Sequence, residues 1–281
     1  MKVLYFVFYL FSLLVIKNRP EEITVISYNI RYDNPDDGEN QWSLRKEKVA
    51  SYLRETQPDI VGMQEVLQHQ LEYLNDVLDK FSYVGVGRDD GKTKGEYSPI
   101  LYNSMNLKVE ESNTFWLSET PEEISVGWDA ALERICTYAR FKDLTSGKQF
   151  WVFNTHFDHI GELARAASAR LILRKIEKLN KMNIPVVITG DFNLTPDTEP
   201  IKILQNSFED VLKDRAPSEK NYGTFTGFKK GETGLRRIDY IFNKGFQLET
   251  ADHIWVKTAK GGWASDHHPV QATFLFKKLN L

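Results

Sequence analysis

The sequence is punctuated by short apolar runs, rich in β-branched residues, that each meet a polar or charged side chain at one end. Residues 24–30 carry Asn29 near their close, and residues 59–66, which follow Pro58, carry Glu65. Trp151-Val152-Phe153 runs into Asn154-Thr155-His156-Phe157-Asp158, and residues 185–189 run into Gly190-Asp191-Phe192-Asn193. Arg237-Ile238-Asp239-Tyr240 opens a further run, and Ser265-Asp266-His267-His268-Pro269 precedes the last, at 270–276. Runs of this length and composition read as β-strands. Such a chain buries the middles of its strands, and packed sheets can bring their polar ends together although they are distant in sequence.

Helical spacing intervenes between the runs. Residues 44–56 read as a helix with Ser43 as its N-cap, and Leu67, Leu71, Leu74 and Leu78 mark a second helix at 67–78. Residues 163–179 form the most regular helical stretch. Further short strands are expected near 83–86, 98–102, 134–141, 150–154 and 238–242. No repeat, low-complexity tract or linker interrupts this pattern. Residues 21–281 are therefore expected to form one domain, with sheets packed face to face and helices outside.

Composition narrows the function. Apolar residues make up 41% and charged residues 27%, enough for a sizeable core and against wholesale disorder. The formal charge of -3 does not favour a protein held to nucleic acid by its general field, although a local basic groove stays open. The single cysteine, Cys136, excludes an intramolecular disulfide and a cysteine-rich metal site. At the N-terminus, Lys2 precedes an apolar run at 3–16, ended by Lys17 and Arg19. That is the size of a signal-peptide core and short for a membrane span. Residues 1–20 are expected to export the protein to the periplasm or exterior, with an N-terminal membrane anchor as the alternative.

If the strand ends converge, Glu65, Asp191, Asp239 and Asp266 share a cleft with His156, His267, Asn29 and Asn193. Hard oxygen ligands of this kind suit Mg²⁺ or Mn²⁺. The absence of a His-Glu-x-x-His motif weakens a zinc protease reading. The ordered set Asn29, Gln64-Glu65, His156, Gly190-Asp191-Phe192-Asn193, Arg237-Ile238-Asp239-Tyr240 and Ser265-Asp266-His267 resembles the endonuclease/exonuclease/phosphatase superfamily. That group includes DNase I-like nucleases, abasic-site endonucleases, sphingomyelinases, inositol-polyphosphate phosphatases and deadenylases. The resemblance runs from about residue 23 to 276. It implies a four-layer α/β sandwich with two central mixed β-sheets flanked by helices, and divalent-metal-dependent hydrolysis of a phosphoester P–O bond.

Within that resemblance, Glu65 is the expected metal ligand, and Asn29 supports a metal-bound water or the metal itself. Asp191 orients or deprotonates the attacking water, and Asn193 donates its amide to a phosphate oxygen. Asp266 and His267 are expected to pair, leaving open whether Asp191 or His267 takes the proton. His156 faces the phosphate as a donor, and Asp239 orients His156 or a nearby donor. Candidate substrate contacts are Glu96, Tyr97, Trp128, Arg134, Asp158 and Arg237. The loop at 89–95 is expected to be mobile and to fold over substrate. No Ser, Cys or Thr nucleophile arrangement stands beside these carboxylates, so water is the expected nucleophile. A phosphorylated small molecule is the first substrate expectation, ahead of DNA or RNA and of a phospholipid headgroup. No obligate protein partner is expected. A binding domain that has lost its chemistry is opposed by the intact carboxylate and histidine set.

Overall fold

The structure, a computed structural model, describes residues 21–216, 222–229, 234 and 236–277; the apolar segment at 1–20 lies outside the described residues. Among the described residues, twelve strands divide into two six-stranded sheets, with orders β11-β12-β1-β2-β4-β3 and β5-β6-β7-β8-β10-β9. The first sheet comprises β1 (Glu22–Asn29), β2 (Ile60–Gln64), β3 (Phe81–Val84), β4 (Ile100–Asn103), β11 (Phe246–His253) and β12 (Val270–Phe276). The second comprises β5 (Leu107–Trp116), β6 (Ile135–Asp143), β7 (Gln149–His156), β8 (Val186–Asp191), β9 (Glu209–Asp210) and β10 (Asp239–Lys244). Each sheet is mixed, with one parallel pair near its centre: β1 with β2, and β7 with β8.

Helices α1 (Trp42–Thr56) and α2 (Gln68–Val77) cover the outer face of the first sheet, where Val49, Leu53, Leu71 and Leu74 pack on Ile26, Tyr28, Val61 and Met63. Helices α3 (Glu162–Leu179) and α4 (Glu199–Gln205) cover the second, where Ile172, Ile176, Ile201 and Leu204 meet Phe153, Ile188, Tyr240 and Phe242. A third apolar cluster fills the space between the sheets, so the order of layers is α/β/β/α.

Side chains alternate between the two faces of a strand. The inward set therefore shows how the site is positioned. At one end of the interlayer it is hydrocarbon: Ile23 and Val25 of β1, Ile60 of β2, Phe150 and Val152 of β7, Val187 of β8 and Ile241 of β10. One step along, it becomes polar and crosses between the sheets. Gln64 Nε2 donates to Asn154 Oδ1 at 2.7 Å, and Thr189 Oγ1 donates to the same oxygen at 2.9 Å. Asn154 Nδ2 donates back across the gap to the Met63 and Pro99 carbonyls, at 2.6 and 2.9 Å. Two residues further along β7 and β8 lie His156 and Asp191, and Asn29 ends β1 opposite Gln64.

Most expected elements lie within a few residues of their observed bounds. Helix α1 starts earlier, with Gln41 rather than Ser43 at its N-cap and no side-chain cap bond. Strands β5 and β11 were not foreseen. Both are edge strands with one face toward solvent, and each carries a register break, at Val109/Glu111 and Leu248/Thr250. The break shifts the alternation partway along the strand, which erases the period-two signal.

Gly62 tests the crossing layer. A Cβ there would overlap Thr189 Oγ1 and stand 2.6 Å from Asn154 Oδ1. Gly62→Ala should lower stability by about 1–3 kcal/mol, the usual range for overpacking, as read from the midpoint of urea unfolding.

Candidate active site

Asn29 ends β1 and lies between two carboxylates. Its Nδ2 donates to Glu65 Oε1 at 3.0 Å and to Asp191 Oδ2 at 2.9 Å. Its Oδ1 accepts from Arg31 N at 2.9 Å. The end of β8 repeats the device in the other sheet: Asp191 Oδ1 accepts from Asn193 N, also at 2.9 Å. In both turns the donor residue adopts a left-handed backbone, φ 59° at Arg31 and 53° at Asn193. Asx side chains make such turns by bonding two residues on. Glu65 is likewise left-handed, at φ 60°, and its Oε2 accepts from Tyr32 N at 3.2 Å.

His156, Asp191 and Asp239 lie opposite one another across β7, β8 and β10, so their side chains share the inward face. Asn193 Nδ2 lies 3.1 Å from His156 Nε2, which sets that nitrogen as the acceptor and leaves the proton on Nδ1. His156 Nδ1 faces Glu96 Oε2 at 3.8 Å. His267 Nδ1 bonds Asp239 Oδ2 at 2.8 Å, and its Nε2 lies 3.7 Å from Asp191 Oδ2.

Burial and the adjacent Asp239 carboxylate push the Asp191 carboxyl up to about 7. Burial acts against a charged His267, but the Asp239 and Asp191 carboxylates outweigh it and hold the imidazole well above its ordinary range. Burial, with Arg134 and Arg88 nearby, holds His156 well below its ordinary range and hence neutral. Ligand atoms of Glu65, His156 and Asp191 lie within 4.8 Å of one another, and those of Asp191, Asp239 and His267 form a second such group. Crowded hard donors with an elevated carboxyl mark a surplus of negative charge, which a divalent cation compensates. The donor set thus fits a divalent metal.

A model of the Endonuclease/Exonuclease/phosphatase family matches residues 26–267. The chain belongs to this family. A solved endonuclease/exonuclease/phosphatase of Bacteroides vulgatus is 37% identical, with 91% of this chain and 99% of that one covered at a TM-score of 0.83. A mannosyl-6-phosphatase of Bacteroides thetaiotaomicron is 35% identical, with 90% and 100% covered at 0.84. An uncharacterised protein of Acanthamoeba polyphaga mimivirus is 30% identical over 179 residues, 61% of this chain and 66% of that one. The chain spans about a third to two thirds of the length of the curated relatives it matches. Together the family and the metal-ready site support divalent-metal-dependent hydrolase activity on phosphoester bonds.

As in the sequence reading, Asn29, Glu65, His156, Asp191, Asn193, Asp239, Asp266 and His267 come together. Their pairing differs from expectation. Asp266 does not bond His267; it accepts from Ser265 Oγ at 3.3 Å and lies 4.0 Å from Arg31 Nε. Asp239, expected to serve His156, pairs with His267 instead. Asn29 braces the two carboxylates with its amide nitrogen, which favours its supporting role over ligation by its already engaged oxygen.

Of the substrate candidates, Glu96 and Arg134 line the same cleft. Arg88 holds Glu96 by two bonds of 3.0 Å. Asp158 is buried behind Arg134, 3.3 Å from its Nε. Three further candidates also lie off the cleft. Tyr97, 2% exposed, spends its hydroxyl on Gln68 and on the Lys92 carbonyl. Trp128 packs against the cluster beneath α3. Arg237 forms a buried two-bond pair with Asp210, at 2.9 and 2.6 Å; its partner sits in the two-residue strand β9, which no sequence pattern marks. The loop at 89–95 is cross-braced rather than loose, with Asp90 Oδ1 accepting from Lys92 N and Lys94 N at 2.8 and 2.9 Å.

Sequence reasoning misses Arg31, which lines the cleft, bonds Asp37 at 3.0 and 3.1 Å and lies 3.7 Å from Glu65. Its position two residues past Asn29, at a strand end, was the available signal. It also misses Phe225, Phe228 and Arg236 on the cleft wall.

Two outcomes follow from this arrangement. Arg237→Met should destabilise the fold by about 3–5 kcal/mol, because it strands Asp210 as a buried unpaired charge. In denaturant melts the midpoint should fall, while the folded fraction keeps its KM. The second concerns pH in chelator. A carboxyl raised from 3.8 to about 7 binds a proton more tightly in the folded state, so it erodes stability as pH rises between those values. Asp191→Asn removes that erosion; its melting temperature relative to wild type should climb between pH 4.5 and pH 7.5. A constant offset would show that Asp191 is not so perturbed.

Proposed function

We propose that the protein is a Mg²⁺-dependent phosphatase that frees the phosphoryl group of a small phosphorylated molecule, with sugar phosphates as the first substrate class. The observation that carries this reading is the size and place of the cleft. His156, Asp191, Asn193 and His267 line a cavity of about 580 Å³. That volume lies within the range of small-molecule sites, roughly 300–1,000 Å³. The mannosyl-6-phosphatase likeness, at 35% identity over 90% of the chain, supports the sugar class. The apolar run ahead of residue 21 supports a location outside the cytoplasm.

Glu65 would hold the metal, with Asn29 and Tyr32 N fixing its carboxylate. Bound there, the cation supplies Lewis-acid stabilisation of the phosphoryl and leaving oxygens. Asp191 would align water and take its proton. His267, kept charged by Asp239, lies with Nε2 3.7 Å from Asp191 Oδ2 and would offer the developing negative charge a donor. Asn193 holds His156 and turns its amide toward the cleft.

The test is a substrate panel with and without chelator: hexose 6-phosphates, inositol phosphates, nucleotides, abasic DNA, single-stranded RNA and sphingomyelin. Hexose 6-phosphate should turn over fastest, with activity restored by Mg²⁺. Faster cleavage of either nucleic acid would overturn the small-molecule reading. Glu65→Gln should raise the Mg²⁺ concentration needed for half activity, whereas Asp191→Asn should lower kcat by about 10²–10⁴, the usual worth of a general base.

A further inference from the structure

The turn bearing Phe225 and Phe228 has no part in the phosphoryl chemistry, yet it is built onto the residues that perform it. Thr226 donates to the Asp266 carbonyl twice, from N at 2.7 Å and from Oγ1 at 2.9 Å. Thr224 Oγ1 accepts from the backbone of Ile238 and Asp239 at 3.1 and 3.2 Å, and its carbonyl accepts from His268 N at 2.7 Å. The turn is thus anchored to the backbone on both sides of the His267–Asp239 pair.

Phe228 is held at φ 60°, a left-handed backbone that a bulky residue seldom adopts, with its N bonded to Thr226 Oγ1 at 3.2 Å. Strain of this kind persists where surroundings impose it, and it gathers at ligand sites. Both rings are half-buried and line the cleft. Phe225 meets the His267 ring edge-on at 5.0 Å, and the Arg236 guanidinium lies over Phe225 at 5.0 Å. Most of the remaining lining is charged or polar.

We infer that Phe225 and Phe228 form the leaving-group wall of the cleft and select a pyranose ring by stacking on its C–H face. A sugar ring offers C–H groups on one face and hydroxyls around its edge, which matches an aromatic wall set among carboxylates and guanidiniums. An acyl chain would leave those polar groups without partners. This inference rests on the sugar-phosphate reading and adds the residues that choose the ring.

The test compares kcat/KM for a hexose 6-phosphate with that for glycerol 3-phosphate, which has the same phosphomonoester and no ring. In Phe228→Leu the ratio of the two should fall about tenfold, the equivalent of one aromatic contact. Phe228→Trp should keep the ratio. A Phe228→Leu ratio equal to that of wild type overturns the wall and leaves the sugar-phosphate reading standing. A wild-type enzyme that turns over nucleotides but neither of these compounds overturns the reading itself, and the wall with it. Should Phe228→Leu fail to fold, saturation-transfer NMR of wild type with free hexose serves instead. Saturation should concentrate on the protons of one ring face; uniform or absent saturation overturns the wall.

Discussion

The buried amide of Asn154 joins the two halves of this molecule. It accepts from Gln64 of one sheet and Thr189 of its own, and donates to the Met63 and Pro99 carbonyls in the opposite layer. An unmet polar group at that depth would cost about 1–3 kcal/mol, so the sheets have little freedom to slide. Two residues beyond this crossing lie His156 and Asp191, and Asn29 stands opposite Gln64. Their spacing, and therefore the Asn29 bonds to Glu65 and Asp191, depends on the crossing below.

The site then concentrates two kinds of tension. Arg31, Glu65 and Asn193 all adopt left-handed backbones, at about 1–3 kcal/mol each. Burial and Asp239 hold the Asp191 carboxyl up, while His267 is charged beside it. Both conditions make sense where a cation and a phosphoryl group are to be received: the backbone strain aims the donors, and the excess negative charge awaits compensation.

What the sequence showed was local: which residues close each strand, and which residue types stand there. Asn29, Glu65, His156, Asp191 and Asp239 were readable because a polar side chain ends an apolar run. The partners were not readable. His267 adjoins Asp266 in sequence but bonds Asp239, a choice made by strand geometry across 28 positions. Arg237 stood as a candidate substrate contact, and β9 places Asp210 against it. Edge strands β5 and β11 hid because bulges and solvent-facing charges break their alternation. Phe225 and Phe228 sit in a turn, where no periodicity distinguishes a cleft wall from a surface loop.

The interlayer also gives the molecule a direction. Strand β1 runs from Glu22 at the hydrocarbon end to Asn29 at the cleft, and β12 returns from Val270 to Phe276, with Glu22 opposite Leu275. Seven residue steps of strand separate the two ends by about 23 Å. Glu22, at the start of β1, lies at the end of the interlayer away from the cleft. A contact made at that end of β1 would therefore leave the cleft open to solution and to anything diffusing in it.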